Sequence, residues 1–164
     1  MLLRTHIIFN AGLMSIIATA LTHRPLTSIA FSLLTSVLGN ILIDGLGHEE
    51  VILGNRVLIR RTPRTHTLPK SIAWGFLPAP LLIALLNLTH SLTLLHALTT
   101  LLPIALINGP AHMLLDSLTE HGIYRRVGGK WVRYSIAHLR SNNPLINTGL
   151  TMLGILMLTA SLSL

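Results

Sequence analysis

Apolar residues run through this chain in long blocks that only a few polar positions interrupt. No Asp, Glu, Lys or Arg lies between Arg4 and Arg24, from Pro25 to Ile43, from Ser71 to Leu115, or from Ser141 to Leu164. A helix that crosses a bilayer needs about 20 mostly apolar residues. The Ser71–Leu115 block is long enough for two such helices, with a break near Asn87-Leu88-Thr89-His90-Ser91. The pattern predicts five helices, over 5–22, 26–46, 71–87, 93–118 and 145–163. The expected fold class is an all-α membrane bundle of about five spans, forming one integral domain over residues 1–164.

Between the blocks lie two β-branched runs. Val51–Ile59 is split by Gly54-Asn55, and Tyr124–Tyr134 by Gly128-Gly129. Both carry two-residue hairpin signals, so short β-hairpin-like loops are expected beside the bundle. Tyr124, Trp131 and Tyr134 are expected at headgroup level, where amphipathic rings are favoured. Gly12, Ala18, Ser32, Ser36 and Gly39, with Gly149 and Gly154 in the last helix, would let helices pack closely. The last helix is expected to complete the bundle or an oligomer contact and to carry no chemistry.

Composition sharpens the membrane reading. Charged residues make up 10% of the chain, apolar ones 51%, and mean hydropathy is +0.66. Soluble domains carry about 25% charge. A cleaved signal peptide fits poorly, because no small-residue cleavage site follows and His6 and Asn10 interrupt the apolar run. The lack of Cys excludes disulfides and thiolate ligands. With five spans, eleven of the twelve Lys and Arg residues fall on one side and only Arg24 on the other. The positive-inside rule then predicts a cytoplasmic N-terminus and an outside C-terminus in the plasma membrane. The basic face is explained by topology and predicts no specific nucleic-acid binding.

The few acids are not scattered. All five lie within four residues of a histidine, in the segments 44–50 and 112–121. His6 and Asn10 stand four apart, as do Asn40, Asp44 and His48, and again His112, Asp116 and Glu120. Residues at i and i+4 share a helix face, so three helices could each present a polar stripe at the same membrane face. The loop Arg61–Thr67 adds His66 there. Gly109-Pro110 is expected to loosen the helix ahead of His112. Histidine and carboxylate suit zinc, manganese or iron, and buried carboxylates need a compensating partner. The bland alternatives are an Asp44 salt bridge to Arg56 or Arg61, a metal-free His112–Asp116 hydrogen bond, and solvated Glu49 and Glu50. His23, His90 and His96 read as interfacial or packing residues, and His138 as a loop residue the sequence does not place.

Thr5-His6, Leu42-Ile43-Asp44 with His48, Arg64–Leu68, and His112–Thr119 followed by Gly122 together resemble the YdjM-like family of membrane-bound metal-dependent hydrolases, particularly its small archaeal relatives. That family typically ends its second helix with Pro-Asp-x-Asp-His. Here Ile43-Asp44-Gly45-Leu46-Gly47-His48 lacks one carboxylate and displaces the histidine. A His-Arg pair common before the family's threonine is Arg61-Thr62 here, so the resemblance implies a single-metal site.

The expected function is a membrane-embedded metal-dependent hydrolase acting at the cytoplasmic face on a phosphoester or lipid-linked substrate. The metal, zinc ahead of manganese or iron, would be held by His6, Asp44, His48, His66, His112 and Asp116. Glu120 or Glu49 is the candidate general base, and Arg61 and Arg64 the candidate stabilisers of phosphoryl charge. Expected partners are the bilayer, an anionic lipid or lipid-linked phosphate, and a second copy of the chain. The alternatives are a metal or proton transporter, and a non-enzymatic scaffold that docks a partner or anionic lipid on the basic face.

Overall fold

A computed structural model describes residues 1–54, 56–88 and 93–164. Helix α1 spans Leu3–Thr22 and α2 Pro25–Gly47. Between them His23 adopts a left-handed conformation (φ 52°) and donates its N–H to the Thr19 carbonyl. Pro25 then opens the next helix, where a missing N–H costs nothing. Hairpin β1 (His48–Leu53) and β2 (Arg56–Arg61) follows. The third span joins α3 (Leu68–Phe76) to α4 (Pro78–Leu88). The fourth is built of α5 (Leu94–His96), a π-helical turn (Ala97–Leu101), α6 (Leu102–Ala105) and α7 (Asn108–Ser117). Hairpin β3 (Ile123–Val127) and β4 (Lys130–Tyr134) precedes α8 (Pro144–Ala160). Asn143 caps α8, accepting from the N–H groups of Leu145 and Ile146.

Five helices are long and apolar enough to cross a membrane: Leu3–Thr22, Pro25–Gly47, Leu68–Leu88, Ala97–Ser117 and Pro144–Ser163. The helical bundle with two small hairpins is the expected fold class. Several details differ. The fourth helix stops at Ser117, because the loop after β4 takes its end: Ile136 N donates to Ser117 O (2.7 Å) and Leu139 N to Leu118 O (2.9 Å). The helix interruption lies at Leu106–Ile107, with Gly109 and Pro110 inside the first turn of α7, where proline is tolerated. The hairpins start earlier than expected and have antiparallel registers His48↔Arg61 and Ile123↔Tyr134 at their open ends. Gly128 and Gly129 both have positive φ, which suits a tight turn matching strand twist. Asn55 of the first turn and Thr89, His90 and Ser91 of the expected break lie outside the described residues.

Burial is inverted relative to a water-soluble bundle. Leu26, Leu81, Leu88, Leu145 and Leu156 are exposed, while Ser15, Thr19, Ser32, Thr35, Ser36 and Asn40 are wholly buried. Such an exterior is compatible with lipid contact, and small or polar interiors are how membrane helices pack. Gly12 of α1 abuts the backbone of Gly154 in α8; a Cβ there would collide with the Gly154 carbonyl. Gly149, by contrast, faces open space. An apolar cluster around Met14, Phe31, Ile83 and Leu101 fills part of the bundle interior. Trp131 and Tyr134 are exposed, but Tyr124 is buried and donates its hydroxyl to Arg61 O (3.0 Å), so it is a packing residue.

Candidate metal centre

Helix α2 carries Asp44 one turn beyond Asn40, and α7 carries His112 one turn before Asp116. The stripe of α2 survives Gly45 and Gly47, since the helix runs to Gly47. His66 arrives from the bend between β2 and α3. That bend docks on the end of α2: Thr62 donates both its N–H (2.8 Å) and its hydroxyl (3.1 Å) to Gly47 O. Gly47 is needed there, because a Cβ would run into Thr65 Oγ1 and the His66 ring. From the other side Tyr124 N donates to His66 O (2.8 Å).

Asp44, His66, His112 and Asp116 could hold a metal ion, with one ligand atom from each and all four atoms within 4.8 Å of one another. Asp44 Oδ1 lies 3.4 Å from Nε2 of both His66 and His112. Asp116 Oδ2 lies 3.5 Å from His66 Nε2 and 3.2 Å from His112 Nε2. Neighbouring ligands of one ion at bond lengths of about 2.0–2.2 Å stand roughly 2.9–3.5 Å apart. These same four atoms are buried and have no hydrogen-bond partner among the described residues. Buried polar atoms are nearly always satisfied, so four converging exceptions fit the ligand set of a cation.

The surrounding bonds fix which nitrogen faces inward. Thr65 spends its hydroxyl proton on Ile43 O (2.7 Å), so at 3.0 Å it can only accept from His66 Nδ1–H. Asn40 donates its amide to Ser36 O (2.7 Å), leaving Oδ1 to accept from His112 Nδ1–H at 2.6 Å. Both Nε2 atoms therefore present lone pairs to the centre, the arrangement that partners behind metal-ligating histidines impose. Asn108 extends the support. Its Oδ1 accepts from Asn10 (2.9 Å) and Asn40 (3.2 Å), and its amide donates to Thr35 O and Gly75 O. Asn108 and Thr65 had no sequence-based role, although Asn108 precedes His112 by four residues and so continues its stripe.

Asp116 divides its two oxygens. Oδ2 faces the centre; Oδ1 accepts from Arg61 Nη2 (2.6 Å) and the Met1 ammonium (2.9 Å), and lies 3.0 Å from His6 Nε2. Arg61 is thus paired with Asp116, not Asp44, and also donates to Thr119 Oγ1 and Gly122 O. His6 is fully buried and stacks on His112 (centroids 3.9 Å apart), against the four-residue group and not within it. His48 opens β1 instead of closing the α2 face; its Nε2 is 3.9 Å from Asp44 Oδ1. Burial holds the His66 and His48 imidazoles below their ordinary pKa, with Asp44 opposing in both cases.

Asp44 is 15% exposed and opens onto a cleft of about 320 Å³ that Gly45, His48, Glu49, Glu50 and Ile59 complete. Glu49 therefore shares a cleft with the centre. Glu120 does not extend the α7 stripe, because the helix has ended; its carboxylate accepts from Ser141 N–H and Oγ and lies 3.6 Å from His121. Arg64 is exposed, and its backbone N–H caps on Thr62 Oγ1. The final helix has a positioning role after all: Asn147 Oδ1 accepts from Leu2 N (3.1 Å) and Thr5 Oγ1 (2.9 Å), anchoring the start of α1.

No curated protein and no solved structure matches the chain. The family that does match is distinct from the YdjM-like hydrolases and neither supports nor excludes kinship with them. Its pattern, described as "Protein of unknown function (DUF1286)", covers residues 1–115, a stretch that includes Asp44, His66 and His112 and stops one residue before Asp116; the chain belongs to that family.

Proposed function

We propose that the chain is a single integral membrane domain, residues 1–164, that binds one divalent metal and hydrolyses a phosphoester or lipid-linked substrate at the cytoplasmic face. The carrying observation is the set of four buried, unpartnered donor atoms on Asp44, His66, His112 and Asp116. Two imidazoles and two carboxylates suit zinc, with manganese or iron as the other candidates. A metal held there would acidify water and polarise a scissile group. Glu49 lies in the cleft onto which Asp44 opens, and is the carboxylate suited to take a proton from the attacking water. Arg61 positions Asp116 through the bond to Oδ1. Orientation rests on the basic loops, which favour the plasma membrane with the N-terminus inside.

Metal content by mass spectrometry tests the centre, comparing wild type with Asp44→Ala and His112→Ala in detergent. The expected result is about one ion per wild-type chain, lost in both variants. No ion in wild type after reconstitution would sink the centre. An ion without metal-dependent release of product from phosphoester and lipid-linked substrates would sink the hydrolase.

One observation favours transport as the second reading. Buried polar side chains continue away from the centre along α1 (Asn10, Ser15, Thr19) and α2 (Asn40, Ser36, Ser32), and the hydroxyls of Thr19 and Ser32 have no bond partner among the described residues. Intramembrane polar files mark ion paths. Metal-driven proton flux in proteoliposomes, abolished by Thr19→Val with Ser32→Ala, would establish that reading over hydrolysis.

A further inference from the structure

A second cleft of about 320 Å³ lies between the two hairpins, and its chemistry is the opposite of the first. Arg60, Arg61, Arg133, His121 and Tyr124 line it, and no carboxylate does. The acids nearby are engaged or line the other cleft. Asp116 is held by Arg61, Glu120 accepts from Ser141 beside His121, and Glu49, the cross-strand neighbour of Arg60, lines the cleft on the Asp44 side. Arg60 and Arg133 are exposed and have no acidic partner within ion-pair distance among the described residues. Uncompensated guanidinium groups brought together from β2 and β4 repel each other unless an anion sits between them. Arg61 forms the wall common to both sites, since its Nη2 holds the Asp116 oxygen that faces away from the metal centre.

We infer that this cleft is the seat of a phosphoryl group. Guanidinium forks match phosphate oxygens in pairs. The volume is at the small end of ligand pockets, enough for a phosphate and part of the group it is esterified to. The inference deepens the hydrolase reading and rests on it for the anion's role as substrate; binding of the anion stands on the cleft alone. The phosphoryl group comes either from a lipid headgroup or from a water-soluble phosphate.

The test is calorimetric titration of the full chain in non-ionic detergent with two probes, inorganic phosphate and a short-chain phosphatidate. The double variant Arg60→Ala with Arg133→Ala is compared with Arg126→Ala, whose guanidinium lies outside the cleft against Gly129 O and Trp131. Saturable binding of either probe is expected, weakened about tenfold or more in the double variant, the worth of one hydrogen bond to a charged group. Arg126→Ala should bind as wild type does. Tighter binding of phosphatidate assigns the site to a lipid headgroup, and equal binding to a free phosphate. Absence of saturable binding, or an equal loss in Arg126→Ala, overturns the inference. His112→Ala separates the two readings. If His112→Ala holds no metal and still binds phosphate with the same arginine dependence, the anion site stands without the centre; if wild type too holds no metal, only the site's place in hydrolysis falls.

Discussion

Replacing Thr65 with valine would remove one hydroxyl and keep the shape of the side chain. In the structure that hydroxyl donates to Ile43 O at 2.7 Å and accepts from His66 Nδ1 at 3.0 Å, in a fully buried position. The substitution removes the relay partner behind the imidazole and leaves the buried Nδ1–H without the acceptor that Thr65 provides. A buried orphan donor costs about 1–3 kcal/mol. Loss of the partner behind a metal-ligating histidine weakens metal binding by about 10–100-fold, or roughly 1.4–2.7 kcal/mol. The first figure is a loss of folding stability and the second a loss of affinity, so the two are measured separately. Competition against a chelating indicator would read the affinity directly. Thermal unfolding with and without metal would read it again, since stabilisation follows the ratio of free metal to Kd. Thr65→Ser restores the hydroxyl and should bind within about threefold of wild type, well under the outer-shell effect. If Thr65→Val also binds within that margin, the relay does not set the tautomer and the geometric case for the centre loses its support.

Three other outcomes follow from the same coordinates. Gly47→Ala should destabilise the protein by about 1–3 kcal/mol and lower metal affinity, because the new Cβ pushes Thr65 and His66 off the end of α2; an unchanged melting temperature and affinity would contradict the close docking. Asp116→Asn should cost about 3–5 kcal/mol even without metal, since it strips the counter-charge from buried Arg61; chemical unfolding of metal-free protein measures it, and a loss below about 1 kcal/mol refutes the pairing. Stability of the metal-free protein should fall as pH drops below about 6.5, because burial lowers the His66 pKa and the unfolded chain takes up the proton first. His48 and His121 shift in the same direction through burial, so His66→Gln should reduce that slope without abolishing it.

The stripes on α2 and α7 were legible because a period of four residues survives any packing of the bundle. The hairpins were legible from Gly-Asn and Gly-Gly, whose backbone freedom is local. What was hidden depended on distant partners. Nothing near Glu120 announces that Ile136 and Leu139 will capture the carbonyls of Ser117 and Leu118 and end the helix before it. Nor does the sequence around Arg61 say that its guanidinium reaches Asp116, 55 residues away along the chain. Asn108 could have been read from its spacing to His112, but the neighbours it bonds, Asn10, Thr35, Asn40 and Gly75, come from three other spans. Tyr124 looked interfacial because its residue type is ambiguous; the backbone carbonyl of Arg61 decides it.

The inverted burial of this bundle separates recognition from solvation. The bonds that orient the centre are made by buried Asn, Ser, Thr, His, Asp, Arg or backbone, and among the described residues none involves the exposed leucines of α2, α4 or α8. The outer surface is therefore a free variable for engineering. Exchanging Leu26, Leu81, Leu145, Leu156 and their exposed neighbours for Glu, Lys and Gln would rewrite the solvent the helices face while keeping the interior code that aligns them. A water-soluble form of the same bundle, with its metal centre open to ordinary solution titration, is already outlined in which side chains the fold leaves uncovered.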